Sequence, residues 1–289
     1  MTETARALAN SGLPDPRREA RILLGIVIDA APLALLTETE RQLSPEQQAQ
    51  LAEALKRRLN GEPLSRIRGR REFWSLDFKI SPDVLDPRPE TELLVEQALE
   101  WVAKGPGRHA RKPLRILDLG TGSGCILLSL LHELPEAFGI GLDLNLRALR
   151  IARANAVRHD LSKRAAWVCG QWLQSIDNPF DLVVANPPYI AAGAIATLGR
   201  GVRSYDPGLA LDGGPDGLAP YRAIIPGLAR VLRPDGAAFL EVGAGQADWV
   251  AALGEKAGMI CRIRDDLAGI PRCVRLSGKI SACNDDDER

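Results

Sequence analysis

The chain has 289 residues, 45% hydrophobic and 26% charged, with 37 lysines and arginines against 37 aspartates and glutamates. This composition excludes a disordered or fibrous chain and gives room for one large domain or two ordinary ones, and the charge balance offers no global attraction to nucleic acid. Five scattered cysteines and three histidines, none at metal-ligand spacing, exclude a disulfide framework and indicate no metal site.

Residues 1–65 alternate apolar and charged positions at helical spacing, which predicts a small helical domain. Asp15-Pro16 followed by residues 17–28 predicts a helix with proline in its first turn. The most apolar segment, 22–36, is interrupted by Asp29 and Pro32 and is too short to span a bilayer. No signal-like stretch adjoins residues 1–6, so no membrane association and a cytoplasmic location are expected. Ser44-Pro45-Glu46-Gln47 is a capping-box start, and Leu51, Leu55 and Leu59 carry one face to a stop at Asn60-Gly61. Lys56, Arg57, Arg58, Arg66, Arg68, Arg70 and Arg71 form one basic concentration, read either as a solvated helix end or as a surface that steers an acidic protein partner or ribosomal RNA. Residues 66–84 change to short β-like runs around Glu72-Phe73-Trp74 and Leu76 to Ile80, a hairpin linker expected to act as a hinge. Asp86-Pro87-Arg88-Pro89-Glu90-Thr91-Glu92 then leads into a helix ending near Ala103.

After a break at 104–113, strands at 114–119, 139–144, 166–169, 180–185 and 237–242 alternate with helices at 125–133, 146–158 and 217–232. This alternation predicts a parallel, doubly wound α/β sheet. Segments 260–263 and 272–276 supply a closing hairpin, and the acidic tail, 281–289, is expected to be disordered. Cys125 and Cys169 lie in apolar contexts and read as small core residues.

Asp118-Leu119-Gly120-Thr121-Gly122-Ser123-Gly124-Cys125 is a strand entering a glycine loop and then a helix. A dinucleotide fingerprint would require glycine at position 125. The spacing is instead G-x-G-x-G, with an aspartate two residues before the first glycine. That carboxylate suits a cationic or zwitterionic ligand, such as the amino group of S-adenosylmethionine. Asp143, at the end of the next strand, suits both hydroxyls of a ribose. Gln171 and Trp172, after the third strand, suit the edge and the face of adenine. Asn186-Pro187-Pro188-Tyr189 ends the fourth strand with a carboxamide, rigid carbonyls and an aromatic ring, a set that can grip a planar NH2 group. The same tetrapeptide also serves as a plain strand-terminating turn.

Together these residues resemble the class I S-adenosylmethionine-dependent methyltransferases. Within them the chain is similar to the protein-(glutamine-N5) methyltransferases of the HemK/PrmC type, which modify peptide chain release factors. The resemblance covers nearly the whole chain, and the segment Pro87 to Glu92 is its most subfamily-specific part. Asp86 departs from the aliphatic residue usual there, and Gln171 from the acidic one. The resemblance implies a Rossmann-like, mostly parallel, seven-stranded sheet with a C-terminal antiparallel hairpin and a small N-terminal helical domain. The domains it implies are a helical substrate-binding domain at 1–65, the linker at 66–84, a methyltransferase domain at 85–280 and the tail.

The implied cofactor is S-adenosylmethionine, bound by Asp118, Gly120, Thr121, Gly122, Ser123, Gly124, Asp143, Gln171, Trp172 and Asn186. The implied reaction is methylation of the glutamine side-chain nitrogen in the Gly-Gly-Gln loop of release factors by a monomer with no stable nucleic-acid partner. Asn186, Pro187 and Tyr189 would be catalytic, with Pro188, Arg88 and Glu92 adding substrate contacts. Tyr189 reads equally as a packing aromatic, Arg88 and Glu92 as salt-bridged structural groups, and Glu241 as a group behind the site. An adenine-N6 nucleic-acid methyltransferase would use the same tetrapeptide, but it would flip its base and carry a basic groove. A non-catalytic cofactor-binding protein would not need both motifs intact.

Overall fold

A computed structural model of the chain describes residues 2–30, 42–105 and 113–278. The acidic tail lies outside them. The chain divides into two compact units, one of Met1–Arg70 with Gly199–Tyr205, the other of Arg71–Leu198 with Asp206–Arg289.

The first unit opens with helices α1 (Thr2–Asn10), α2 (Pro16–Ile28), α3 (Pro45–Leu59) and α4 (Leu64–Arg68). Asp15 caps α2 through the Arg18 amide, and Ser44 and Gln47 complete the capping box of α3. Leu8, Ala20, Leu23, Ala54 and Ile67 form the buried core. Sequence reading puts Ile67 at the start of the hairpin, whereas it lies in α4, whose five residues are too few to show a helical period. The basic concentration is partly neutralised locally, with Arg57 paired to Glu62 at 2.6 Å and Arg58 to Glu19 at 2.7 Å.

A hairpin follows, β1 (Arg70–Phe73) and β2 (Leu76–Lys79), which belongs to the second unit from Arg71 onward. Its two turn residues, Trp74 and Ser75, have φ of +51° and +57°, the left-handed conformation a two-residue hairpin turn demands. A single 3-10 turn, Pro89–Thr91, enters α5 (Glu92–Lys104). Then follow β3 (Arg115–Leu119), α6 (Cys125–Glu133), β4 (Phe138–Asp143), α7 (Leu146–Arg158), β5 (Ala165–Cys169) and β6 (Phe180–Ala185). The turn of helix α8 (Arg200–Arg203) belongs to the first unit. The second resumes with α9 (Ala219–Val231), β7 (Leu232–Glu241), α10 (Ala247–Lys256), β8 (Ile260–Asp265) and β9 (Pro271–Ser277).

Seven strands form one sheet in the order β5-β4-β3-β6-β7-β9-β8, parallel except for β9, which runs antiparallel to β7 and β8. Side chains alternate across it with period two. Leu117, Val183, Ala185, Ala238 and Leu240 meet α9 and α10 on one face, while Ile116, Leu182, Val184, Ala237 and Phe239 meet α5 and α6 on the other. Burial on both faces explains why β6 reads as a continuous apolar run. Its one charge, Asp181, is satisfied by the Arg115 amide at 2.9 Å and by Arg233 at 3.3 Å. Helix α10 goes beyond the elements expected from sequence, because the apolar positions of its ten residues give a weak pattern between two strands. Cys125 is buried as expected, but Cys169 is exposed, since β5 is an edge strand.

Register decides where the chemistry gathers. Leu119 sits beside both Leu142 and Ala185, Asp143 beside Cys169, and Ala185 beside Leu240. The residues that follow, Gly120, Gly170, Asn186 and Glu241, therefore emerge along one edge of the sheet, where ligands bind in open α/β folds.

Candidate active site

A cavity of about 490 Å³ opens along this edge. The glycine loop, Asp143, Gln171 and Trp172 form one wall, and Thr91, Asn186 and Pro188 another. Gly120, Gly122 and Gly124 have φ of +71°, +56° and +80°, so each position of the G-x-G-x-G pattern is left-handed. At Gly124 a β-carbon would also lie 3.2 Å from Ala152 and Leu128 and 3.3 Å from Trp167.

Neither Gly124 nor Asp118 is among the residues lining the cavity; Asp118 lies under the loop, 1% exposed. Its Oδ2 accepts the Thr121 hydroxyl at 2.6 Å, while Oδ1 has no partner among the described residues. Burial pushes its pKa up to about 7, against the Thr121 hydrogen bond, and the nearby Asp143 charge adds to the rise. An orphaned, buried carboxylate oxygen of this kind is complementary to an ammonium. Asp143 accepts the Gly122 amide at 2.9 Å and the Asn145 amide at 2.8 Å, one on each oxygen. Each oxygen retains a lone pair for a ligand hydroxyl. Burial raises its pKa as well. Trp172 holds a φ of +48°, a strained conformation for a bulky residue. Arg230 braces that loop, donating to the Leu173 carbonyl at 2.7 Å and to the Ile176 carbonyl.

The structure redistributes the other predicted residues. Asn186 lines the cavity and donates its Nδ2 to Thr91 Oγ1 at 3.0 Å, which leaves its carboxamide oxygen as the acceptor. Pro188 lines the wall, whereas Pro187 is buried behind it. Tyr189 does not line the cavity. Its ring packs on the core cluster of the α9 face, and its hydroxyl donates to Glu241 Oε1 at 3.4 Å. Arg88 lines the cavity while bonded to Asp206 at 2.5 Å. Glu92 turns away to accept the Trp74 amide at 2.9 Å, so its carboxylate fixes the hairpin turn instead of meeting a substrate. Asp86 is 3% exposed and pairs with Arg71 at 3.8 Å, which accounts for a charge at a position where an aliphatic residue is usual.

Residues 1–69 match the family model of the PrmC N-terminal domain, and residues 94–199 that of the methyltransferase small domain. The chain is 45% identical to the release factor glutamine methyltransferase of Bradyrhizobium diazoefficiens over 93% of its own length and 91% of that protein's. The chain belongs to the release factor glutamine methyltransferase family. The relative from Rhodospirillum rubrum is also 45% identical, over 91% of this chain and 79% of its own length. Among solved structures, the hMettl16 catalytic domain in complex with MAT2A 3'UTR hairpin 6 aligns with a TM-score of 0.53 at 17% identity, covering 81% of this chain and 82% of that one; the likeness concerns the fold. As a member of this family the chain is an S-adenosylmethionine-dependent methyltransferase. The orphan Asp118 oxygen under the loop, the left-handed glycine loop and the Trp172 side chain in the cavity wall fit that donor. Among the described residues, no cluster of histidine, cysteine, aspartate or glutamate could hold a metal ion, and no helix is long and apolar enough to cross a membrane.

Several supporting residues escape sequence reading. Asn155, Gln246, Thr91 and Arg230 act through buried or backbone-directed bonds that carry no motif. Gln246, for instance, ties the Gly243 amide to the Tyr189 carbonyl at 3.0 and 2.9 Å.

The Asp118 geometry predicts a pH dependence. Its folded pKa is raised to about 7, so the carboxyl is largely neutral below that pH, and an ammonium must displace the proton to pair with it. Donor affinity is therefore expected to rise from about pH 6 to about pH 8, with proton release on binding at the lower pH. Calorimetry in buffers of different ionisation enthalpy measures that release. Affinity independent of pH, with no proton released at the lower pH, would contradict the prediction, and Asp118→Asn should abolish the dependence.

Proposed function

We propose that the protein methylates the side-chain nitrogen of the glutamine in the Gly-Gly-Gln loop of peptide chain release factors, as a monomer in the cytoplasm. The observation that carries the reading is that Asn186, its amide nitrogen engaged by Thr91, shares one cavity with the glycine loop. The four described cysteines, Cys125, Cys169, Cys261 and Cys273, are all free thiols, in keeping with a reducing compartment.

A glutamine amide is a poor nucleophile because its nitrogen lone pair is delocalised into the carbonyl. The donor supplies an electrophilic methyl group on a sulfonium. The protein's task is to hold the amide nitrogen with its lone pair toward that methyl group and to ease rehybridisation. Asn186 Oδ1 accepts one amide N–H. The carbonyl of the peptide unit shared by Pro187 and Pro188 is the candidate for the other. Both bonds strengthen as positive charge grows on nitrogen, so they favour the transition state over the ground state. Orientation alone is worth up to about 7–11 kcal/mol in favourable cases. The proton leaves after transfer, and no strong base is needed. Tyr189 supports the turn from behind instead of covering the amide.

Labelled S-adenosylmethionine should mark a release factor and leave unmarked the same factor with its Gly-Gly-Gln glutamine replaced. Label on the replaced factor, or on DNA or RNA alone, would overturn the proposal.

A further inference from the structure

Thr91 occupies the N-cap of α5, where a threonine hydroxyl ordinarily accepts a backbone amide from the first helical turn. Here it caps nothing. Its φ of −67° and ψ of −19° are already helical, and the side chain makes no capping bond. The residue is 2% exposed, and its Oγ1 instead accepts Asn186 Nδ2 at 3.0 Å, across 95 positions of sequence.

A hydroxyl that accepts must send its own proton elsewhere. Behind Thr91 lies Glu241 at the end of β7, 2% exposed, with Oε2 lacking a hydrogen-bond partner among the described residues. Burial pushes the Glu241 pKa up to about 7 and Glu90 adds to the rise, against the Thr91 hydroxyl, Arg272 and the Tyr189 hydroxyl, so the carboxylate form is the acceptor above about pH 7. The Glu241 backbone is fixed separately, its carbonyl accepting the Tyr221 hydroxyl at 2.7 Å.

We propose that Thr91 is a positioning residue: its buried Oγ1 accepts from Asn186 Nδ2, with Glu241 behind it to draw the hydroxyl proton away, and this holds the Asn186 carboxamide with Oδ1 toward the substrate amide. An asparagine amide is nearly symmetric in shape, and only its hydrogen-bond partners tell its two ends apart. Rotated by half a turn, Asn186 would present an NH2 to the substrate NH2, donor against donor. This inference rests on Asn186 gripping the substrate amide.

The test compares Thr91→Val, which keeps the branched shape but removes the hydroxyl, with Thr91→Ser, which keeps the hydroxyl. Turnover on a release factor and dissociation constants for S-adenosylmethionine are measured for both, beside Asn186→Ala. In Thr91→Val, kcat should fall about tenfold or more while donor affinity stays within twofold, and Thr91→Ser should stay within a few-fold of the parent in both. Glu241→Gln should lower kcat in the same selective way, because a carboxamide at that position can donate to Thr91 instead of drawing its proton away. Turnover in Thr91→Val within twofold of the parent, with Asn186→Ala inactive, would overturn the role of Thr91 alone. A loss in Thr91→Val shared equally by donor affinity and turnover would also overturn it, as would a Thr91→Ser as poor as Thr91→Val. An active Asn186→Ala would overturn the underlying reading of the site instead.

Discussion

Replacing Asn186 by alanine should reduce turnover by about 10²–10³-fold while leaving affinity for S-adenosylmethionine within a few-fold. The asymmetry follows from position. Asn186 reaches the cavity from the end of β6, whereas the glycine loop, Asp143 and Trp172 reach it from the ends of β3, β4 and β5. The alanine variant keeps all of those cavity-lining groups and loses the carboxamide oxygen. Single-turnover rates and donor titration separate the two effects. A fall in donor affinity matching the fall in rate would move Asn186 from the acceptor to the donor side.

The second large effect is on stability, from Asn155 of α7. This residue is fully buried, and its carboxamide makes three bonds: Oδ1 accepts the Lys79 amide at 2.8 Å, while Nδ2 donates to the Lys79 carbonyl at 3.0 Å and to the Ser123 carbonyl at 2.8 Å. One side chain thus pins β2 of the hairpin and the end of the glycine loop to the same helix. Asn155→Leu keeps roughly the volume and leaves three backbone groups without that partner. At about 1–3 kcal/mol for each unsatisfied buried group, a loss of about 3 kcal/mol or more is expected. For a unit of this size that corresponds to a fall of roughly 6–12 °C in Tm. Because Ser123 lines the donor cavity, donor affinity should fall with it, unlike in Asn186→Ala. A variant that melts within a degree or two of the parent would show that Lys79 and Ser123 find other partners.

Legibility in the sequence followed the range of each interaction. The sheet could be read because its strands are buried on both faces and its helices carry a clear period, and α6, α7 and β6 match the expected boundaries residue for residue. The donor loop could be read because three left-handed positions leave three glycines. Helix α4 could not, being only five residues long. Side-chain direction was the main gap. Pro187, Tyr189 and Glu92 belong to motifs, but a motif specifies neighbours in sequence and not which way a side chain points. Tyr189 turns to Glu241 and Glu92 to the hairpin amide, while Thr91, embedded in the same Pro87 to Glu92 segment, reaches Asn186. Asn155 was invisible for a different reason, since an asparagine in mid-helix has no local signature of a bond to a residue 76 positions away.

The strand order has a consequence for how such a protein can change over evolutionary time. The glycine loop, Asp143, Gln171 and Trp172 follow the strands of the β5-β4-β3 half of the sheet, and Asn186, proposed to grip the acceptor, follows β6 with β7 behind it. The ladder from Ile116 to Leu119 along the β3–β6 seam holds the two halves in register, and Arg230 of α9 ties the loop after β5 to the acceptor side. Mutations on the β6 side can reshape what receives the methyl group without disturbing what delivers it. The long stretch between β6 and α9 is thus the part of the enzyme most open to innovation, and the glycine loop the part least free to drift.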